Sequence, residues 1–234
     1  MSQEFKYTAI VLGKADVGET DRIYTFYTRE SGKIRAMGRG AKKSTAKLAG
    51  NLETGNLVEV WVMKGKGLGN ISGAIALDHF SNLRLDFEKL DSLLAVFKIL
   101  GRLISEEEKD EKVFDLLLGY LRALDQQENE RILTLGFLFK FLDSLGYRFQ
   151  MNECVLCQRK LEAEGNFFGF PEGGVICSKC SSSEANKMRI SADEIKLVRI
   201  FLANNLSSLS KIKVSDKSLM NLRRISEGFL KWIR

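Results

Sequence analysis

Several residue types that mark particular protein classes are scarce in this chain of 234 residues. It has one proline, Pro171, so no proline-rich linker divides it, and one histidine, His79, which excludes sites built from several imidazoles. No stretch approaches the ~20 apolar residues that cross a bilayer. The N-terminus lacks the basic start and apolar run of a signal peptide. We therefore expect a cytoplasmic protein with reduced thiols and no membrane partner.

Motifs for catalysis are also missing. The glycines between residues 32 and 40 do not form a phosphate-binding P-loop, and neither HExxH nor GxSxG occurs. The glycine run at residues 65–69 precedes a predicted strand, so it indicates a turn. A lone histidine without a neighbouring acid or nucleophile pattern is usually structural. We predict that the chain is not an enzyme.

Positive charge is unevenly distributed. The formal net charge is +6, and it divides into +4 for residues 1–80, −3 for residues 81–150 and +5 for residues 151–234. Two basic regions around an acidic one indicate separate modules and a polyanionic partner. The alternative is that mild basicity only aids solubility.

Residues 1–80 read as a small β-barrel. Five runs alternate or are rich in β-branched and aromatic residues, and glycine-rich turns separate them: Phe5–Lys14, Asp21–Arg29, Lys33–Met37, Leu57–Met63 and Gly69–Leu77. A longer connection between the third and fourth runs fits an OB-fold, and an SH3-like barrel is the alternative. The strand aromatics are predicted to fill the core, with base stacking from an outer face as the second interpretation: Tyr7, Tyr24, Phe26, Tyr27 and Trp61.

The four cysteines form two close pairs, Cys154–Cys157 and Cys177–Cys180, in the pattern C-x2-C-x19-C-x2-C. This spacing is typical of zinc sites, because each turn lets two thiolates converge on one ion. Four ligands close the coordination shell, so we predict one structural Zn²⁺ ion. The alternatives are two disulfides or four ordinary buried thiols. Both are disfavoured by the paired spacing and by the reducing conditions expected in the cytoplasm. Residues 165–174 between the pairs suggest a small hairpin.

The pattern becomes helical after residue 81. Apolar spacing and cap signals predict helices over Phe87–Ile104, from Ser105 to about Leu124, Glu130–Leu145, from Ser191 to about Asn204, and Ser215–Ile233. The predicted fold class is therefore α+β and multidomain. The OB-fold barrel spans residues 1–80, a helical domain spans 81–150 and 184–234, and a four-cysteine zinc ribbon at 151–183 is embedded in the helical domain.

A basic segment lies within the predicted barrel. No acidic residue occurs between Ser31 and Leu52, and small residues there would let a backbone approach phosphates closely. The candidate nucleic-acid contacts are Lys33, Arg35, Arg39, Lys42, Lys43 and Lys47, with Lys14 and Arg22 extending the track. The alternative is a solvated loop.

Several motifs in order along the chain resemble the RecO family of bacterial recombination mediators. They are Ala9-Ile-Val-Leu12, Gly18-Glu-Thr-Asp-Arg22, Thr28-Arg-Glu-Ser-Gly-Lys-Ile34, Gly38-Arg-Gly-Ala-Lys42, and Gly173-Gly174 shortly before Cys177-x-x-Cys180. The resemblance implies an OB-fold, a helical domain and an embedded zinc ribbon. It also implies binding of single- and double-stranded DNA, annealing of complementary strands, and assistance to RecA loading in recombinational repair.

Partners follow from the same resemblance. They are RecR, the C-terminal tail of the single-stranded-DNA-binding protein and, indirectly, RecA, in a cytoplasmic, nucleoid-associated setting. Basic residues near the C-terminus would either extend the DNA surface or dock an acidic tail: Lys211, Lys213, Arg223 and Arg224. Two other functions stay open from the residues alone. One is a zinc-containing protein-interaction scaffold without strong DNA affinity, and the other is an RNA-processing or transcription factor.

Overall fold

The structure is a computed structural model that describes residues 3–42, 47–65, 67–181 and 186–233. It consists of two compact units, Met1–Gln126 and Gln127–Arg234. Among the described residues, no helix combines the length and apolar character that a membrane span requires.

The first unit contains a closed five-stranded barrel. Its strands are β1 (Gln3–Val17), β2 (Asp21–Thr28), β3 (Gly32–Gly38), β4 (Leu57–Lys64) and β5 (Gly69–Asp78), and helix α1 (Lys47–Asn51) lies between β3 and β4. The order around the barrel is β1-β2-β3-β5-β4, and β3 and β5 pair in parallel through Ala36 and Met37. The predicted OB-fold barrel is confirmed, including the longer connection between the third and fourth strands.

The long first strand, β1, pairs with two neighbouring strands. Its first half pairs with β4 from Gln3 to Ile10, and its second half pairs with β2 from Ala9 to Val17. The register shifts between Val11 and Gly13, and such a bulge bends the strand, which a closed barrel requires.

The barrel aromatics are mostly core residues, as predicted. Tyr7, Tyr24 and Phe26 are buried in the barrel interior. Tyr27 is buried outside it, where its ring stacks on Phe114 with 6.4 Å between centroids. Trp61 is only half-buried, and the Lys6 ammonium lies 5.5 Å from its ring centroid. Base stacking by the four buried rings is therefore excluded.

Three helices complete the first unit: α2 (Ser81–Arg84), α3 (Phe87–Leu103) and α4 (Glu111–Gln126). The predicted helix start at Ser105 is wrong. Asp110 is the capping residue, and its Oδ1 accepts hydrogen bonds from the backbone N–H of Lys112 at 2.8 Å and of Val113 at 3.2 Å. The helix begins late because the preceding residues pair with a strand of the barrel.

That preceding stretch, Ser105–Lys109, is named the acidic segment here. Glu106 forms a bridge with Lys33 of β3, and the backbone N–H of Glu107 donates to the Lys33 carbonyl at 2.8 Å. Gly32, with φ of +67°, lets the Glu108 carbonyl approach so closely that a Cβ at this position would overlap it. The acidic segment therefore covers a part of the β3 edge that β5 does not pair.

The second unit holds the remaining elements: α5 (Glu130–Ser144), β6 (Phe167–Gly169), β7 (Gly174–Ile176), β8 (Lys187–Arg189), α6 (Ala192–Ala203), α7 (Leu206–Leu209) and α8 (Asp216–Trp232). The three strands form a sheet in the order β7-β6-β8, and β6 with β7 is the predicted hairpin. The predicted capping box is confirmed, because Ser191 and Glu194 exchange hydrogen bonds of 2.9 and 3.3 Å.

An aromatic cluster packs the small sheet against helices α5 and α8. Phe149 lies 5.1 Å from Phe139 of α5 and 5.3 Å from Phe229 of α8, measured between ring centroids. Phe168 of β6 lies 6.0 Å from both Phe149 and Phe229. Aromatic pairs at such distances contribute beyond the area they bury. One face of the sheet is thus fixed by core packing.

A Gly32→Ala substitution should destabilise the first unit strongly. The new Cβ would overlap the Glu108 carbonyl, and a left-handed backbone is also unfavourable for alanine. We expect the free energy of unfolding to fall by about 3 kcal/mol in urea denaturation. Gly18→Ala is the matched control, because Gly18 has φ of +59° with open space around it. Equal losses in the two variants would show that the acidic segment is not tightly seated.

Candidate metal centre and nucleic-acid interface

The two cysteine pairs lie on two turns in the second unit. In the first turn, the Cys154 N–H donates to the Arg159 carbonyl at 3.0 Å, and the Gln158 N–H donates to the Cys154 carbonyl at 2.8 Å. In the second turn, directly after β7, the Cys180 N–H donates to the Cys177 carbonyl at 3.1 Å. Each turn thereby presents its two sulfur atoms to the same side.

The four sulfur atoms lie within 4.8 Å of one another, so the cluster can hold a metal ion. None of the four thiols is in a disulfide. The Sγ atoms of Cys157 and Cys177 are 3.8 Å apart. A tetrahedral ion with metal–sulfur bonds of about 2.3 Å would separate its ligands by about 3.8 Å. The donor set therefore fits a tetrahedral ion.

The surroundings of the sulfur atoms favour thiolates at two positions. The backbone N–H and the guanidinium of Arg159 lower the pKa of Cys157 to about 6. Burial raises the pKa of Cys154, but backbone N–H groups from Cys177, Cys157 and Leu156 outweigh it and the net pKa is lowered. Shared protons with Cys157 and Cys177 raise the pKa of Cys180 to about 12. The lowered pKa values of Cys154 and Cys157 favour the thiolate form that metal binding requires.

We expect purified protein to carry one metal ion per chain, and Cys154→Ser to lose it. Cys154 is buried at the centre of the cluster, so its removal leaves three ligands and an open position. Elemental mass spectrometry after gel filtration measures the content. Chelation should also lower the melting temperature of the wild-type protein. An unchanged melt in chelator would contradict a structural ion.

Four of the predicted nucleic-acid contacts lie around one end of the barrel. Lys14, Arg22, Arg39 and Lys42, named the hairpin-end cluster, stand near the β1–β2 turn and the end of β3. The Lys42 N–H donates to the Thr20 carbonyl at 2.9 Å, which holds the stretch after β3 against the turn between β1 and β2. Arg22 and Lys42 share Asp16 as a partner, while Lys14 lies on β1 near them and Arg39 directly follows β3.

Three of these four cations form ion pairs with carboxylates of the same chain. Asp16 pairs with Arg22 at 2.8 Å and with Lys42 at 3.2 Å, and these two partners, Arg22 first, lower the pKa of the Asp16 carboxyl. Lys14 pairs with Glu53 at 2.7 Å. Arg39 donates from Nε to the Asn70 side-chain oxygen at 2.9 Å and has no carboxylate partner among the described residues.

The other predicted contacts lie elsewhere. Lys33 donates to the Gly101 carbonyl at 2.8 Å, and Arg35 pairs with Glu106 at 2.6 Å, so both hold the acidic segment and the end of α3. Lys43 lies outside the described residues, as does the side chain of Lys47, the first residue of α1.

Sequence reasoning did not identify Asp16 or Arg159. Asp16 could have been suspected, because it lies between the first two predicted strands, where the structure pairs it in register with Arg22. Arg159 stands two residues after Cys157, where a cation can stabilise a thiolate. His79 is exposed at the end of β5, and its carbonyl accepts from Arg84 at 2.8 Å.

An OB-fold barrel with a cationic end, joined to a helical unit with a four-cysteine ribbon, defines a class of nucleic-acid-binding architecture. Family models narrow this class. The model described as recombination protein O N terminal matches residues 1–80, and the one described as recombination protein O C terminal matches residues 84–232. The chain belongs to the RecO family, and the resemblance seen in its motifs is confirmed.

Relatives from several bacteria carry the name DNA repair protein RecO. The protein of Dehalococcoides mccartyi is 30% identical over 219 residues, which cover 94% of this chain and 86% of that protein. The protein of Desulfatibacillum aliphaticivorans is 32% identical, over a match that covers 95% of this chain and 89% of that protein. The protein of Bacillus pumilus is 29% identical, with coverages of 96% and 87%. Similarity therefore extends across both units.

Proposed function

We propose that this protein is a DNA-binding recombination mediator. In this proposal it binds single- and double-stranded DNA, anneals complementary strands and assists RecA loading in recombinational repair. Membership of the RecO family supports the role in repair. The observation that carries DNA binding is the hairpin-end cluster, four cations gathered at one end of an OB-fold barrel.

Only part of the basic segment is proposed to contact phosphates. Lys33 and Arg35 are assigned to holding the acidic segment, because their charged groups already have partners within the fold. Arg39 is exposed and free of any carboxylate in the part of the chain that the structure describes, so it is the strongest candidate contact. Lys43 and Lys47 continue the track on sequence grounds alone.

The ion pairs at the cluster do not prevent binding. Exposed pairs contribute little free energy, about 0–1 kcal/mol, so a phosphate can take over a cation from Asp16 or Glu53. Each neutralised phosphate releases counterions, which favours binding at low salt. Annealing then needs no bond chemistry, because a cationic surface reduces repulsion between two strands and raises their effective concentration.

The metal is proposed to be zinc, one structural ion held by Cys154, Cys157, Cys177 and Cys180. Zn²⁺ accepts four thiolates in a tetrahedron, and a closed shell leaves no position for water or substrate. The ion supplies a cross-link between the two turns, and its binding is coupled to folding of the ribbon. The residues themselves place the sulfur atoms, and Arg159 stabilises the Cys157 thiolate.

RecR, the tail of the single-stranded-DNA-binding protein and, indirectly, RecA are proposed partners on the strength of family membership. The C-terminal cations offered for an acidic tail are Lys211, Lys213 and Arg224, all exposed, and Arg223, which pairs with Glu227 at 2.9 Å.

A second function, as a protein-interaction scaffold, is favoured by one observation. Leu85 and Phe87, two positions apart in sequence, are 88% and 82% exposed, and a contiguous apolar patch there would favour a protein contact.

Replacing two cluster cations should weaken DNA binding and reduce its salt dependence. For Arg39→Gln/Lys42→Gln, we expect the slope of log affinity against log salt concentration to fall by about 1.4 on single-stranded DNA. Fluorescence anisotropy across a salt series measures this slope. Lys98→Gln/Lys112→Gln is the charge-matched control on exposed helical positions. The same slope in both variants would favour the scaffold function.

Removing the Asp16 carboxylate, which competes with phosphates for Arg22 and Lys42, should strengthen DNA binding. Asp16→Asn leaves Arg22 and Lys42 without their carboxylate partner, so we expect DNA affinity to rise by about two- to tenfold at moderate salt. The same anisotropy titration detects the change. Asp115→Asn, which removes the partner of Arg29 elsewhere on the first unit, is the control. An equal rise in the control would indicate a general effect of net charge.

A further inference from the structure

The ribbon sheet has a second face, which does not pack against the aromatic cluster. Phe167 of β6 stands on it opposite Arg189 of β8, and Lys187 stands opposite Gly169. The Lys187 ammonium lies 4.6 Å from the centroid of the Phe167 ring, and the Arg189 guanidinium lies 5.8 Å from it. We call Phe167, Lys187 and Arg189 the ribbon face.

Alternation along the strands separates this face from the core. Phe168 and Met188, the residues between, point to the opposite side, where Phe168 joins the aromatic cluster. The ring of Phe167 is only half-buried and Arg189 is exposed. A phenylalanine with two cations against it is therefore held at the surface by a rigidly packed sheet.

Among the described residues, the two cations contact the Phe167 ring and a hydroxyl rather than a carboxylate. Neither Lys187 nor Arg189 forms an ion pair with a carboxylate in the described ranges, although Lys187 donates to the Ser181 hydroxyl. The Glu172 carboxylate lies over Gly169 on the same side without pairing with either cation. The hairpin-end cluster differs, since Asp16 and Glu53 occupy three of its four cations.

We propose that the ribbon face is a second binding site for single-stranded nucleic acid. Residues two apart on a strand are separated by about 6.6 Å, which is comparable to the spacing of neighbouring phosphates on an extended strand. Lys187 and Arg189 bind two such phosphates, and the exposed part of the Phe167 ring and the guanidinium plane receive a base. Two cations beside an aromatic ring match this ligand.

The ring distinguishes a single strand from other polyanions. An acidic peptide would use the two cations but not the ring, and a duplex keeps its bases stacked, so its phosphates alone would reach the face. The inference extends the proposed DNA-binding function to the other unit. A protein with two separate strand sites can hold two strands at once, which is what annealing needs.

The test is a salt series of fluorescence anisotropy with a labelled oligo-dT strand on the full chain. For Lys187→Gln/Arg189→Gln, we expect the slope of log affinity against log salt concentration to fall by about 1.4 and the affinity to weaken about fivefold. Phe167→Leu keeps the cations but removes the ring, and it should weaken binding about threefold with little change of slope. Metal content and thermal melting verify that each variant is folded.

Lys217→Gln/Lys231→Gln on α8 is the charge-matched control in the same unit. If the ribbon variants bind oligo-dT as this control does, the proposal is overturned, whatever the hairpin-end variants show. If they lose polyglutamate binding but keep oligo-dT binding, the face is an acidic-peptide site and the proposal also fails. If only the ribbon variants lose binding and Arg39→Gln/Lys42→Gln does not, the proposed barrel interface fails while the ribbon face stands.

Discussion

The closure of the β3 edge by backbone is the constraint on which the first unit depends. A barrel strand with unpaired N–H and C=O groups is unstable unless another segment covers it. The acidic segment does this by pairing Glu107 with Lys33, and Gly32 permits the approach. This pairing also sets the start of α4, because the backbone can become helical only after the acidic segment ends, at Asp110. The segment's carboxylates also engage Arg35 and Lys64, so these cations are used inside the fold.

Local pattern accounts for much of what the sequence predicted. Strand alternation and glycine turns were enough for a five-stranded barrel, and cysteine spacing was enough for a cluster able to hold a metal ion, because both are properties of short stretches. The Ser105 cap failed for the opposite reason. Its Ser-x-x-Glu signal is local, whereas the pairing that overrides it joins residues more than seventy positions apart in sequence. The sequence also could not show which predicted cations pair within the fold and which stand at the barrel end. Glu53 becomes the partner of Lys14, and Glu106 that of Arg35, only in the folded chain.

In the second unit, two unrelated interactions act on the same small sheet. Strands of three residues cannot persist alone, so the sheet needs support from outside its own hydrogen bonds. The aromatic cluster supplies it on one face through Phe168. The cysteine turns supply it at the ends, since Cys177 directly follows β7 and Val155 donates to the Val175 carbonyl at 2.9 Å. A metal ion held by the four sulfurs would therefore stabilise the sheet as well as the turns.

Carboxylates beside proposed phosphate contacts at first look unfavourable, yet they are compatible with the proposed mediator function. Cations gathered without counter-charge repel one another and would bind DNA tightly and without release. Asp16 and Glu53 reduce that repulsion in the free protein, and exposed pairs exchange at small cost when a phosphate arrives. In the proposed function, the resulting DNA affinity would depend on salt and would be readily reversible. A protein that brings strands together and then yields them to other factors needs reversible binding more than it needs maximal affinity.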